Sequence, residues 1–112
     1  MILVEAIIRP DRLERVTHAL EEIGVVGMTA TDVRGCGQQR GYPERYQGAE
    51  YPLRLVPKLK LEIVLPAGRA AEAVEAIQAA GRTGEVGDGK LFLHRVTAAQ
   101  RIRTGERDYA AL

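Results

Sequence analysis

Alternation of apolar and polar residues starts at the second position of the chain. Ile2, Val4, Ala6 and Ile8 share one parity, and Leu3, Glu5 and Ile7 the other. That period of two predicts a strand, and both its faces want cover because the odd side is apolar apart from one carboxylate. Pro10 is tolerated in a first helical turn, and Leu13, Val16, Leu20 and Ile23 recur at helical spacing until Gly24 stops the helix. Met28 to Cys36, carrying Thr29, Thr31 and Val33, predicts a second strand. Leu59, Leu61, Ile63 and Leu65 alternate with Lys58, Lys60, Glu62 and Val64 in the clearest strand, which Pro66 ends. Ala70, Ala73, Val74 and Ile77 stripe an alanine-rich helix that Gly81 is expected to terminate, and Leu91 to Val96 forms the last strand.

The order strand, helix, strand, strand, helix, strand predicts an α+β, ferredoxin-like βαββαβ fold, the split βαβ plan, with an antiparallel sheet and both helices on one face. A chain of 112 residues makes one domain, 1–112, and is too short for two. The face opposite the helices, apolar around Leu3 and Ile7, is left for a partner subunit, so a homo-oligomer is expected.

Three stretches fall outside these periods. Residues from Gly37 to about Val56 show neither, which makes a long loop between strands two and three. Loops of that length in a compact domain are usually functional, and Tyr42, Tyr46 and Tyr51 offer flat contact area to a protein partner. The run Arg82-Thr83-Gly84-Glu85-Val86-Gly87-Asp88-Gly89-Lys90 places three glycines before a lysine, which suits close approach of a phosphate to backbone N–H groups. It is not a Walker A loop, because Leu91 follows Lys90, and a glycine turn entering a strand is also an ordinary way to reverse a chain. In the tail, 97–112, Arg101 and Arg103 would sit at alternate positions of an extended segment and project to one side. Such a pair suits a phosphate or, equally, carboxylates across a subunit interface.

Composition narrows the classes. Net charge is +1 with 28% charged residues, which argues against nucleic acid or an anionic membrane as the main partner. Cys36 is the single cysteine, so there is no internal disulfide and no paired-cysteine metal site, and it is expected to act as a small strand-end hydrophobe. The chain opens without a signal peptide's pattern and has no apolar run of 18 residues, so a cytoplasmic protein without membrane insertion is expected. Serine and asparagine are absent, which removes a seryl nucleophile. The central strands lack the stacking aromatics of RNA-binding sheets. His18 and His94 have no spacing that suggests a metal site, and only Glu62 or Asp88 would serve as a base, so a non-enzymatic role is expected.

Five segments together resemble the PII nitrogen-regulatory signal-transduction proteins. They are Glu5-Ala6-Ile7-Ile8-Arg9-Pro10, Gly27-Met28-Thr29, Tyr46-Gln47-Gly48-Ala49-Glu50-Tyr51, Thr83 through Lys90, and Arg101-Ile102-Arg103-Thr104-Gly105-Glu106-Arg107. The resemblance runs over essentially the whole chain. It implies a homotrimer whose three inter-subunit clefts bind ATP or ADP, with 2-oxoglutarate taken up through a Mg-ATP complex. It also implies that the long loop, the family's T-loop, docks on targets such as an ammonium transporter or an enzyme of nitrogen metabolism. Carried over by position, the nucleotide-binding residues would be Thr29, Gly35, Gly37, Gln38, Gln39, Val64, Gly87, Asp88, Gly89, Lys90, Arg101, Ile102 and Arg103. Gln39, Gly41 and Lys58 would hold 2-oxoglutarate, Gln39 would ligate Mg, and Tyr51 matches a position that nucleotidylyltransferases modify in some members.

The T-loop departs from the family's pattern. Gln38 stands where Arg is common, removing a charge-assisted contact of about 1.5–3 kcal/mol. Arg40 replaces Lys, Tyr42-Pro43 occupies a part that usually contains His, and Ala49 cannot be phosphorylated. These changes keep a second expectation open, a divergent PII-like regulator of carbon, bicarbonate or metal transport that reads ADP or AMP rather than 2-oxoglutarate.

Overall fold

Residue parity along the first strand decides how the chain folds. In the computed structural model, which describes residues 1–36, 45–46, 49–50 and 54–112, strand β1 (Ile2–Ile8) buries Val4, Ala6 and Ile8 and leaves Leu3, Glu5 and Ile7 half-covered. Helix α1 (Leu13–Glu22) follows a short 3-10 turn at Pro10–Arg12, where the proline's missing N–H costs nothing. Its apolar stripe buries Val16 and Leu20 against the sheet. Gly24 then takes φ +81, the left-handed conformation that ends a helix.

Strand β2 (Thr29–Gly35) and strand β5 (Val56–Leu65) pair antiparallel from Thr29↔Glu62 to Gly35↔Val56. That last pair brings the two ends of the long loop together. Inside the loop, strands β3 (Arg45–Tyr46) and β4 (Ala49–Glu50) form a small antiparallel ladder. The sequence reading had no structure here, because two-residue strands are too short to impose a period. The remaining loop expectations, Gly37, Gln38, Gln39, Gly41, Tyr42 and Tyr51, lie outside the described residues.

Helix α2 (Ala70–Gly81) packs beside α1. Gly81 was expected to stop it but is its last, buried residue; the helix ends where Arg82 turns extended, at φ −75 and ψ 130. Strand β6 (Lys90–Arg95) begins one residue earlier than the pattern predicts, which puts Lys90 opposite Ile7. The sheet order β2-β5-β1-β6, all antiparallel, is the split βαβ topology, with both helices on one face.

The core lies between that face and the helices. Val4, Leu61 and Ile63 from the sheet meet Val16, Leu20, Ala73 and Ile77 from the helices, all at 2% exposure or less. Each large side chain among them stabilises the fold by about 1.5–3 kcal/mol through burial. On the other face the pairing registers line up Leu3, Ile7, Val33, Val64 and Phe92 with Glu5, Lys60, Glu62 and His94. Lys60 is half-buried and pairs with Glu5 at 3.9 Å and Glu62 at 4.0 Å, and His94 meets Glu5 at 3.2 Å. Cys36 is exposed just beyond β2 and packs as no hydrophobe. No helix among the described residues is long and apolar enough to cross a membrane.

Candidate functional site

The turn between α2 and β6 carries three positive-φ glycines, Gly84 at +91, Gly87 at +103 and Gly89 at +100. Gly89 has a second reason to be glycine. A Cβ built on it would stand 1.7 Å from the carbonyl oxygen of Ile7, so the turn lies directly against β1.

Asp88 ties the turn into a ring. Its carboxylate accepts the Thr83 and Gly84 N–H groups, both at 2.9 Å, the Thr83 hydroxyl, and Arg9 Nε at 2.9 Å. Those donors, the Thr83 hydroxyl first and the Arg9 guanidinium next, hold the Asp88 carboxyl well below the usual carboxylate range. The side chain is therefore ionised and fully engaged, and it is unsuited to serve as a general base. A depressed folded-state pKa contributes stability that is complete above the ordinary aspartate value near 4 and is lost as pH falls below it. Asp88→Asn is expected to melt several degrees below the parent by the same margin from about pH 8 to pH 5, with the gap narrowing below about pH 4. Thermal scans across that range check it; a gap that opened only in acid would contradict the assignment.

Two cations bracket the turn from the sheet side. Arg9, just after β1, donates through Nη2 to the Val86 carbonyl at 2.7 Å. Lys58, on β5, donates through Nζ to the Gly87 carbonyl. Pairing registers put Thr29, Gly35, Lys58, Val64 and Lys90 on the same open face of the sheet. Gly35 packs at the foot of Lys58, its virtual Cβ 3.7 Å from Lys58 Cγ. Val64 pairs with Leu3, four positions along β1 from Ile7 and so about 13 Å from the Lys90 end. One chain thus assembles a cationic end, at Lys58, Lys90 and the glycine turn, separated along the sheet from Thr29 and Val64. On the helix side a cleft of about 440 Å³ opens beside the turn, floored by Ile8 and Ile77 and edged by Arg82 and Lys90.

The tail behaves differently from expectation. Residues 102–104 form a turn rather than an extended segment, closed by Gly105 N–H donating to Arg101 O at 2.8 Å. The Gln100↔Arg107 bridge and the 2.8 Å bond from Arg101 N–H to Glu106 O make it a small hairpin. Gly105, at φ +75, supplies the reversal that the Arg-x-Arg spacing gave no sign of. Arg101 reaches Glu106 at 3.3 Å and the Leu112 carbonyl at 3.4 Å, and Ile102 is fully exposed. Among the described residues no hydrogen bond joins this tail to the glycine turn, so a single chain does not bring Arg101, Ile102 and Arg103 onto it.

Arg9 and Thr83 were missed as site residues from the sequence. Nothing periodic marks Arg9; only the adjacency of β1 and β6 reveals that the residue leaving one strand lies beside the turn entering the other. Among the described residues no cluster of His, Cys, Asp or Glu is suited to hold a metal ion, and the expected Mg ligand, Gln39, lies outside them.

Comparison with known proteins agrees with this architecture. The family model described as nitrogen regulatory protein P-II matches residues 1–106. The nitrogen regulatory protein P-II of Synechocystis sp. is 50% identical over 109 residues, 97% of each chain. The nitrogen regulatory protein P-II 1 of Escherichia coli K12 is 47% identical over 109 residues, again 97% of each. Among solved structures, Arabidopsis thaliana PII bound to citrate aligns with a TM-score of 0.82 at 39% identity, covering 99% of this chain and 91% of that one. Fold, full-length matching and sequence identity converge, and the chain belongs to the nitrogen regulatory protein P-II family, whose members are signal-transduction regulators and not enzymes.

Proposed function

We propose that the protein is a cytoplasmic homotrimer that senses ATP against ADP, and 2-oxoglutarate together with Mg-ATP, and reports the state to nitrogen-metabolism targets through the loop around Tyr51. The observation that carries this reading is the convergence of Lys58, Lys90 and three positive-φ glycines at one end of the open sheet face. N–H groups of Gly87 to Lys90 and the Lys90 ammonium suit the phosphates, with Gly35 beside Lys58 at that end, while Thr29 and Val64 line the way to the base. Arg101 and Arg103 complete the anion site from a neighbouring protomer, with Ile102 packing at the same junction. The open face of Leu3, Ile7, Val33, Val64 and Phe92 is the surface that association would cover.

Lys58 is the residue suited to 2-oxoglutarate. Its ammonium donates to a neutral carbonyl, that of Gly87, and a carboxylate is a stronger acceptor for an ammonium. The Arabidopsis relative was solved with citrate, itself a polycarboxylate. Gln39 and Gly41 belong to the same subsite, with the Gln39 side-chain oxygen a suitable ligand for Mg, a hard cation that bridges phosphate and oxoacid oxygens. Targets such as an ammonium transporter would be read by the loop, whose order or disorder follows ligand state.

Calorimetry with ATP, ADP and AMP, each with and without 2-oxoglutarate and Mg, tests this directly. ATP affinity is expected to rise by roughly 5–150-fold when the oxoacid and Mg are present, with no such gain for ADP or AMP. Nucleotide binding without any gain would shift the function to an ADP- or AMP-reading regulator of carbon or metal transport, consistent with Gln38. A protein that ignores all three nucleotides would refute both readings.

A further inference from the structure

The glycine turn has an unusual support. Among the described residues no backbone–backbone hydrogen bond of ordinary geometry lies within residues 83–89, and three of those residues are glycines at positive φ. Such a segment has high conformational entropy and little backbone pairing to fix the direction of its peptide groups. Its order comes from side chains. Thr83 Oγ1 receives the Glu85 N–H at 3.1 Å, Asp88 gathers Thr83 and Gly84, and Arg9 holds Val86 and Asp88 together.

We propose that Arg9 is a positioning residue for nucleotide binding: it orients the glycine turn without touching the nucleotide. The inference rests on the nucleotide reading given above. Arg9 uses two nitrogens of one planar group, Nε on Asp88 Oδ1 at 2.9 Å and Nη2 on the Val86 carbonyl at 2.7 Å, and so ties the Val86–Gly87 peptide group to the Asp88 side chain across Gly87. Its guanidinium also fills the space beside Gly87, 3.3 Å from where a Cβ would be. Lys58, the other cation at Gly87, reaches a neutral acceptor there, the Gly87 carbonyl. Arg9 is held by an ionised carboxylate that is itself bonded to the turn, so it stays in place when an anion arrives. A lysine at position 9 would carry the charge but could not reproduce the fork that spans two acceptors.

That difference separates positioning from simple electrostatic attraction. ATP titrations of the full chain would compare the parent with Arg9→Lys, Asp88→Asn and the double variant, with amide hydrogen exchange read in parallel. Arg9→Lys is expected to weaken ATP by about tenfold or more despite its unchanged charge, and to speed exchange at Val86 to Gly89 while β1 and β5 keep parental protection. Asp88→Asn breaks the same clamp from its other end, so the double variant should bind no worse than the weaker single variant. Parental ATP affinity in Arg9→Lys, or additive losses in the double variant, would overturn the inference and leave the nucleotide reading intact. A parent protein that does not bind ATP would instead refute the reading on which the inference rests. Should Arg9→Lys fail to fold, Asp88→Asn alone decides: unchanged exchange at Val86 to Gly89 in that variant would also overturn the clamp.

Discussion

Alanine at position 89 is expected to abolish ATP binding and to lower the melting temperature by about 15–25 °C. An alanine Cβ would meet the Ile7 carbonyl oxygen at 1.7 Å and the carbonyl carbon at 2.7 Å, both backbone atoms of β1. No rotamer change relieves such a contact, so either the turn leaves β1 or the β1–β6 pairing at Ile7↔Lys90 opens. The left-handed backbone at φ +100 adds its own penalty for any side chain. Together, strain and overpacking amount to about 3–5 kcal/mol, and for a domain of this size each kilocalorie shifts the midpoint by roughly 4–8 °C. Gly84→Ala is the control: φ is +91 but nothing lies within 4 Å, so only the conformational cost of about 1–2 kcal/mol applies. Gly87→Ala should fall between the two, since it meets side-chain atoms of Arg9 and Lys58, at 3.3 Å and beyond, rather than backbone. Differential scanning measurements on the three variants test the ranking. Gly89→Ala melting as high as Gly84→Ala would mean that the turn does not lie against β1.

The glycines of this turn were legible in the sequence because glycine is tied to backbone geometry, and a cluster of them before Lys90 announces a reversal. Why Gly89 matters most was not legible, since the obstacle is the carbonyl of Ile7, 82 positions earlier in the chain and adjacent only through the sheet. The same limit explains Arg9. Its partners, Val86 and Asp88, become neighbours only when β1 and β6 pair. Element order was readable because parity along Ile2–Ile8 and Leu59–Leu65 and the stripes Val16–Leu20 and Ala73–Ile77 are local signals, each repeated several times. Arg101 and Arg103 went the other way. Their alternate spacing fits a strand as well as a turn, and the ladder partner that would have decided it, Arg107 opposite Gln100, lies within the same few residues. Local spacing without a periodic hydrophobic companion does not fix backbone conformation, and the hairpin was missed for that reason.

If the protein is the trimer proposed above, mixed assemblies give the second large effect. Lys90 and the tail arginines are assigned above to one anion, yet among the described residues of a single chain no bond joins tail and turn; if both serve one nucleotide, they come from different protomers. Lys90→Ala is expected to weaken ATP by about 10–100-fold, and Arg101→Ala with Arg103→Ala by at least as much, because each removes charge-assisted bonds to phosphate. On the trimeric reading proposed above, neither variant alone then has an intact cleft. In a trimer with head-to-tail interfaces, however, every cleft takes its turn from one protomer and its tail from the next. Co-expressing the two variants in equal amounts should restore full-affinity binding to about one cleft in four, since half the turns and half the tails are intact and they combine at random. Stoichiometry of tight ATP sites on the mixed assembly is the measurement. A turn and a tail that acted within one chain could not complement, and the mixture would then bind no better than its components. Recovery near a quarter therefore locates the site between protomers, and its absence would refute a site shared between protomers.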